Sequence, residues 1–120
     1  MQKIDPTEAR QLLREVPYAQ WLKIGRMMIP KGIHQARISS LSELEWTIRP
    51  TAKTLVIMRF DNLEQWLRDD IGDHTLAERI LAIRSRDIPY VEQSKAVYEA
   101  VVERVAALKQ AAGREEVQDA

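Results

Sequence analysis

The sequence predicts a small α+β domain, in which a short sheet of two to four strands is packed by helices and followed by a long C-terminal helix. Three observations indicate this fold class. The run from Thr54 to Phe60 is apolar without alternation, which favours a buried strand. Capped segments with helical spacing lie on both sides of it. From Val91 onward, apolar residues recur every three or four positions, which predicts the longest helix.

Length and composition restrict the range of functions. A chain of 120 residues is expected to form one domain, here residues 1–112, followed by a polar tail at 113–120 that we expect to be disordered. The absence of cysteine excludes disulfides, thiolate metal sites and cysteine nucleophiles. Because 18 Lys and Arg balance 18 Asp and Glu, broad affinity for nucleic acid is not expected. No signal peptide or membrane span is evident, so we expect a cytoplasmic protein.

The N-terminal third predicts one helix and two extended segments. Asp5 is a good N-cap, and the apolar spacing after it predicts a helix over Pro6–Val16. Tyr18–Ile29 lacks a helical face and is interpreted as a strand. Pro30–Gly32 is interpreted as a turn, and Ile33–Ser39 as a short extended piece that could supply a further strand.

The middle of the chain repeats a capping pattern. Ser40 and Glu43 have the spacing of a capping box, which predicts a helix over Leu41–Ile48. The Thr54–Phe60 strand is expected to be central in the sheet and buried on both faces. Asp61 is the expected N-cap of the helix that follows.

Glycines and a proline divide the C-terminal half. Gly72 is expected to end one helix in the left-handed conformation, and Asp73 or Thr75 to cap the next. The last helix is expected to run from Pro89 to Ala111, with Gly113 ending it.

The last helix carries an apolar seam whose partner the spacing leaves open. The seam either packs on the sheet of its own chain or pairs with the same helix of a second copy. Its members are Val91, Tyr98, Val101, Val105 and Leu108.

Few residues are candidates for catalysis or metal binding. His34 and His74 are the only histidines, and neither lies in a recognisable catalytic motif. Asp70 and His74 are the weak candidates for a metal site, but Gly72 is expected to break the helix that would align them. No catalytic set, phosphate-binding loop or cofactor motif is present, so we assign no catalytic residue and no cofactor.

Two other groups are candidates for binding a partner. Arg79, Arg84 and Arg86, with Lys95 nearby, form a mildly basic region before the last helix, although a salt-bridged surface explains the same pattern. Trp46 lies off the apolar stripe of its helix and is therefore the better candidate among three tryptophans for a contact surface.

The segment from Phe60 to Ala77 resembles a family of small uncharacterised prokaryotic domains that are frequent in archaea. The resemblance lies in an aromatic residue, an apolar residue three before Trp66, then Gly72-Asp73, then Leu76-Ala77. It extends over roughly the first two-thirds of the chain. The family is of unknown function, so it implies no catalytic residue. Its members often have a histidine on the strand. The corresponding strand here reads Val56-Ile57-Met58-Arg59 and has no histidine, so a function that depends on that histidine is not implied for this chain.

Three functional hypotheses follow. The first is a non-enzymatic interaction or regulatory module that acts on another protein and is oligomeric, as a homodimer for instance. The second is nucleic-acid binding through the Arg79, Arg84 and Arg86 region. The third is a small enzyme or metabolite-binding domain that uses His34 or the Asp69–His74 cluster. A membrane partner is not expected.

Overall fold

The computed structural model describes residues 4–28, 32–51 and 54–118 and has the predicted α+β fold. The strands form one antiparallel sheet in the order β2-β1-β3. The elements in the described residues are α1 (Pro6–Leu13), a 3-10 turn (Tyr18–Gln20), β1 (Leu22–Met28), β2 (Gly32–Ile38), α2 (Leu41–Thr47), β3 (Thr54–Ile57), α3 (Phe60–Trp66), a π-helical turn (Leu67–Ile71), α4 (His74–Arg84) and α5 (Tyr90–Gln118).

Helix α1 starts where the sequence predicts and ends three residues early. The Asp5 carboxylate accepts a hydrogen bond from the Thr7 amide, as expected of an N-cap. The helix ends at Leu13 instead of Val16. Arg14 leaves the helical path with a ψ of 158°, and its guanidinium donates to backbone carbonyls of the distant π-helical turn, including Ile71 at 3.0 Å.

The central strand is β1, and the prediction that the Thr54–Phe60 run is central is wrong. β3 has four residues and lies at the sheet edge. Val56 and Met58 are buried, whereas Ile57 between them is 42% exposed, so the run is buried on one face only. The extended segment predicted at Ile33–Ser39 is confirmed as β2. The strand predicted over Tyr18–Ile29 is confirmed for Leu22–Met28, whereas Tyr18–Gln20 forms the 3-10 turn. Pro30 and Lys31, of the predicted turn, lie outside the described residues.

Tyr90 protects the free edge of β3. Its hydroxyl accepts from the Met58 amide at 3.0 Å and donates to the Val56 carbonyl at 2.7 Å. The ring stacks on Phe60 with the ring centroids 5.3 Å apart. These are backbone groups that an additional strand would otherwise bind, so the first turn of α5 covers an edge that could pair with another chain.

The N-cap predicted for α2 is confirmed, whereas the one predicted for α3 is not. Ser40 accepts from the Glu43 amide, as expected, but the Glu43 carboxylate accepts from the hydroxyl of Ser39 instead of returning to the cap. At α3 the N-cap is Arg59, with no side-chain cap bond. Asp61 lies inside the first turn, where its carboxylate pairs with Arg59, so the prediction of Asp61 as the cap is wrong.

Helix α5 extends beyond the predicted end. It runs to Gln118, so Gly113 does not end it. One glycine inside a helix costs only about 1 kcal/mol relative to alanine, which need not terminate a long helix. Within the described residues, no helix is long and apolar enough to cross a membrane.

The seam of α5 packs on its own chain, but chiefly on helices, whereas the alternative stated from the spacing was packing on the sheet. α5 contacts α1, α2 and α4. Val101, Val105 and Leu108 are buried in the core, Tyr98 is half-buried and Val91 is exposed. Most of the seam is therefore not free to pair with a second copy while the domain is folded. The core side of α5 consists of Val97, Ala100, Val101, Val105, Leu108 and Ala111.

Candidate functional site

The sheet has one buried face and one exposed face, which we call the outer face. Directly opposed residues of antiparallel strands share a face, and the register pairs Lys23 with Arg37 and Gly25 with both Gln35 and Ile57. Leu22 and Ile24, which alternate with these residues along β1, are buried against the core. The outer face includes Lys23, Gly25, Met27, Ile33, Gln35, Arg37 and Ile57.

A cleft of about 350 Å³ lies on the outer face, with Gly25 as its floor. Ile33 and Ile57 are exposed apolar side chains on either side of this glycine. A β-carbon at position 25 would lie 3.4 Å from the Ile57 β-carbon and 3.9 Å from an Ile33 methyl group. A larger side chain at position 25 would therefore fill the cleft, and glycine leaves it open.

Basic residues lie in this cleft and next to it. Lys23 and Arg59 line it, and Arg37 lies opposite Lys23 in the register. Arg59 pairs with Asp61 at 2.8 Å, and this hydrogen bond lowers the pKa of the Asp61 carboxyl. In the part of the chain that the structure describes, no ion pair with a carboxylate involves Lys23 or Arg37. These two side chains therefore leave positive charge on an exposed surface.

An exposed aromatic ring lies at the β1 start of the outer face. Tyr18 is 65% exposed, and its hydroxyl accepts from the Arg37 guanidinium at 3.2 Å. That guanidinium carbon lies 5.8 Å from the centre of the Tyr18 ring, and the Trp21 ring centroid lies 4.8 Å away. The indole of Trp21 donates to the Val16 carbonyl, which fixes the ring that supports Tyr18.

The cationic surface has an acidic boundary. A second hollow, of about 460 Å³, is lined by Trp21, Lys23 and Asn62 and continues to Asp69 and Asp70 on the π-helical turn. Burial, and secondarily the neighbouring charge of Asp69, raises the pKa of the Asp70 carboxyl. Positive charge on the outer face is therefore concentrated along β1 and β2.

The arginine region predicted from the sequence is largely neutralised. Arg79 pairs with Glu103 at 2.8 Å, and Arg84 pairs with Glu64 at 3.0 Å. Arg86 is exposed and lines a hollow of about 200 Å³ together with Arg79, Glu99 and Glu103. Lys95 lies in a separate groove beside Tyr90 and Val91. The salt-bridged alternative therefore describes this region better than a continuous basic patch.

Trp46 is exposed, which is the condition for the contact role predicted for it. It lies near the end of α2 with 65% of its surface accessible. The guanidinium carbon of Arg49 lies 4.1 Å from its ring centroid, in cation–π geometry. Trp66, by contrast, is buried, and its indole donates to the Gln20 carbonyl at 2.7 Å.

The weak metal and histidine candidates do not come together. His34 is exposed on β2, and His74 is exposed at the start of α4. Asp73 is buried, caps α4 and binds Arg104 at 2.8 and 3.0 Å. Among residues 4–28, 32–51 and 54–118, no three His, Cys, Asp or Glu side chains are arranged to hold a metal ion.

The distribution of charge along the sequence indicates this basic surface, whereas the total composition does not. Residues 16–42 contain Lys23, Arg26, Lys31 and Arg37 but no Asp or Glu. The balanced total charge hides this excess, because the compensating carboxylates lie in the helical parts of the chain. Counting charge by segment instead of over the whole chain identifies the strands as the basic part.

Comparison with known proteins assigns no relative to this chain. No family model matches it, and no curated protein or solved structure shows a significant match. The resemblance of the Phe60–Ala77 segment to a family of uncharacterised domains therefore stays a prediction.

Proposed function

We propose that this protein is a non-enzymatic binding module that binds nucleic acid through the outer face of its sheet. The observation that carries the proposal is the pair Lys23 and Arg37, two exposed cations without a carboxylate partner in the described structure. Cations of this kind bind phosphates, and they supply most of the affinity of non-specific nucleic-acid binding. The proposal transfers the nucleic-acid hypothesis from the arginines before α5 to the sheet.

The two basic regions differ in the cost of binding a phosphate. An arginine that already bonds a carboxylate, such as Arg79 with Glu103, must give up that partner or share it with the phosphate. Lys23 and Arg37 have no such partner to lose, although Arg37 also donates to the neutral hydroxyl of Tyr18. The outer face is therefore expected to bind phosphate more strongly than the helical surface.

The test compares two double variants with the same change in charge. Fluorescence anisotropy of labelled oligonucleotides is followed from about 20 to about 200 mM NaCl for the wild type, for Lys23→Gln/Arg37→Gln and for Arg79→Gln/Arg86→Gln. We expect the first pair to weaken binding and to reduce the salt slope of log K by about 1.4 for single strands, as for two lost phosphate contacts. The second pair should leave both quantities close to the wild type.

Two results would refute the proposal. One is the absence of oligonucleotide binding at the lowest salt concentration. The other is an equal loss of affinity in both double variants, because that would reduce the effect to net charge alone. A glutamate-rich peptide that binds as tightly as an oligonucleotide of equal charge would instead identify an acidic protein segment as the partner.

A protein-binding role through Trp46 is the second candidate. The observation in its favour is the exposed indole stacked against Arg49, since Trp and Arg are the residue types most enriched in interface hot spots. We take a second copy of the chain as the partner to test. Light scattering should then give twice the monomer mass of 13.9 kDa, and Trp46→Ala should restore the monomer. A wild-type monomer at all concentrations removes this candidate.

A further inference from the structure

We infer that the nucleic acid bound by the outer face is single-stranded, with one base stacked on Tyr18 and a neighbouring base in the cleft above Gly25. This inference rests on the proposed function and names the form of the ligand. It follows from what lies beside the cations: an exposed aromatic ring at one end and, at the other, an open cleft flanked by the exposed side chains of Ile33 and Ile57.

Aromatic and apolar groups favour a single strand because a duplex hides the faces of its bases. In a duplex, an approaching protein meets phosphates, sugars and base edges. In a single strand, the unstacked bases can lie on aromatic rings and enter apolar clefts. Charge alone would suit both forms, so Tyr18 and the Ile33–Gly25–Ile57 cleft decide between them.

Tyr18 is suited to stacking because its ring is exposed and held in place. Arg37 binds the hydroxyl, and Trp21 packs at a tilt of 57° against the ring. These contacts limit the motion of the ring before binding, which lowers the entropy lost when a base stacks on it. A guanidinium beside a stacked base can also bind the adjoining phosphate.

The cleft above Gly25 lies next along the outer face. Gly25 lies two positions after Lys23 on β1, a distance of roughly 7 Å in an extended strand. Lys23 lines both the Gly25 cleft and the hollow that contains Trp21, so this residue borders both the cleft and the ring that supports Tyr18. The volume of about 350 Å³ lies within the usual range of small-ligand sites and admits one base.

The experiment uses the full chain and four single variants. Fluorescein-labelled oligonucleotides of about 12 nucleotides, as RNA, as DNA and as the matching DNA duplex, are titrated by anisotropy at low salt. Tyr18→Leu removes the aromatic face and Tyr18→Phe keeps it, while Gly25→Val fills the cleft. Ile83→Val, a small change in the core, serves as the control for stability.

We expect single-strand affinity to fall by about 5- to 160-fold in Tyr18→Leu, the range for loss of one stacked base, and to stay near the wild-type value in Tyr18→Phe. Gly25→Val should also weaken single-strand binding. Duplex affinity should be weaker than single-strand affinity and insensitive to Tyr18→Leu. Chemical-shift changes of the Gly25 and Gln35 amides in heteronuclear NMR spectra should report the bound strand directly and exclude unfolding as the cause.

The inference and the proposed function fail in different ways. Duplex binding as tight as single-strand binding, or unchanged single-strand affinity in Tyr18→Leu, would overturn the inference. In that case a loss of binding in Lys23→Gln/Arg37→Gln would still support the proposed function. If no oligonucleotide binds at low salt, both are wrong.

Discussion

Asp73 joins two helices through one buried carboxylate. Its side chain is 1% exposed, accepts from the Leu76 amide at 3.1 Å as the cap of α4, and holds the Arg104 guanidinium of α5 with two hydrogen bonds. Removing it leaves a half-buried guanidinium without its partner and α4 without its cap. We therefore expect Asp73→Ala to lower the free energy of unfolding by about 3–5 kcal/mol.

Urea unfolding followed by circular dichroism measures this loss, and Asp69→Ala is the matched control. Asp69 is exposed on the π-helical turn and should change the unfolding free energy by less than about 0.5 kcal/mol. Similar losses in both variants would show that Asp73 acts only through the general charge of this segment. The sequence predicted the cap because capping is a local pattern, but the bond to Arg104 joins residues 31 positions apart and has no local signal.

Glu64 gives the protein a defined dependence on pH. Its side chain is 14% exposed and accepts from Arg84 at 3.0 Å and from Arg68 at 3.1 Å. The hydrogen bond from Arg84 is the main cause of its lowered pKa, and the bond from Arg68 adds to it. Because the folded pKa lies below the unfolded one, the stabilisation is fully present above the ordinary glutamate pKa of about 4.3 and is lost as the pH falls through the folded pKa.

We accordingly expect Glu64→Gln to cost about 1 kcal/mol near pH 7 and less at an acidic pH below the folded pKa, where the wild-type carboxyl is protonated. Urea unfolding at both pH values tests this, with the exposed Glu99→Gln as the control of little effect. An equal cost at both pH values would mean that packing, and not ionisation, sets the contribution of Glu64.

At the scale of the elements, replacing glycine by alanine is expected to have opposite effects on thermal stability at two positions. Gly72 ends the π-helical turn with φ of 88°, a conformation that L-residues rarely adopt. Gly113 lies inside α5, and a β-carbon there would contact nothing within 4 Å. Gly72→Ala should therefore lower the thermal midpoint by the equivalent of about 1 kcal/mol, whereas Gly113→Ala should raise it by a similar or smaller amount.

Calorimetry of the two variants under one set of conditions is sufficient, because each serves as the control for the other. A rise in both midpoints would contradict the left-handed backbone at Gly72. A fall in both would contradict the continuation of α5 through Gly113. The sequence predicted the role of Gly72 correctly and that of Gly113 incorrectly, since both are flanked by helical patterns and only the three-dimensional path distinguishes an end from an interior position.

The strands show where local pattern stops being informative. Continuous apolar character in Thr54–Phe60 suggested burial on both faces, yet β3 is an edge strand with Ile57 exposed. Which strand is central depends on pairing between distant segments, and that is not encoded in the composition of one strand. The same limit hid the proposed binding surface, because Lys23 and Arg37 are 14 positions apart and become neighbours only through the register of β1 and β2.

At the scale of the whole molecule, the fold separates a helical body from a basic sheet. The buried residues of α1, α2, α4 and α5 form one core, which also includes the inner face of the sheet. Composition and periodicity predicted this α+β class. They did not predict the separation of charge, because a net charge of zero averages over the two parts.

The contribution of α5 to the helical body can be tested by truncating the chain. Val97, Val101, Val105 and Leu108 are buried, so a chain that ends after Pro89 leaves the facing surfaces of α1, α2 and α4 without their cover. We expect this truncation to lose the cooperative unfolding transition, because a small domain cannot spare so large a share of its core. A chain that ends after Ala112 retains all four residues and should unfold cooperatively near the wild-type midpoint. If the chain ending after Pro89 were instead a folded monomer while the full-length protein was a dimer, α5 would be an assembly element in solution, and its apolar seam would belong to the interface between two copies.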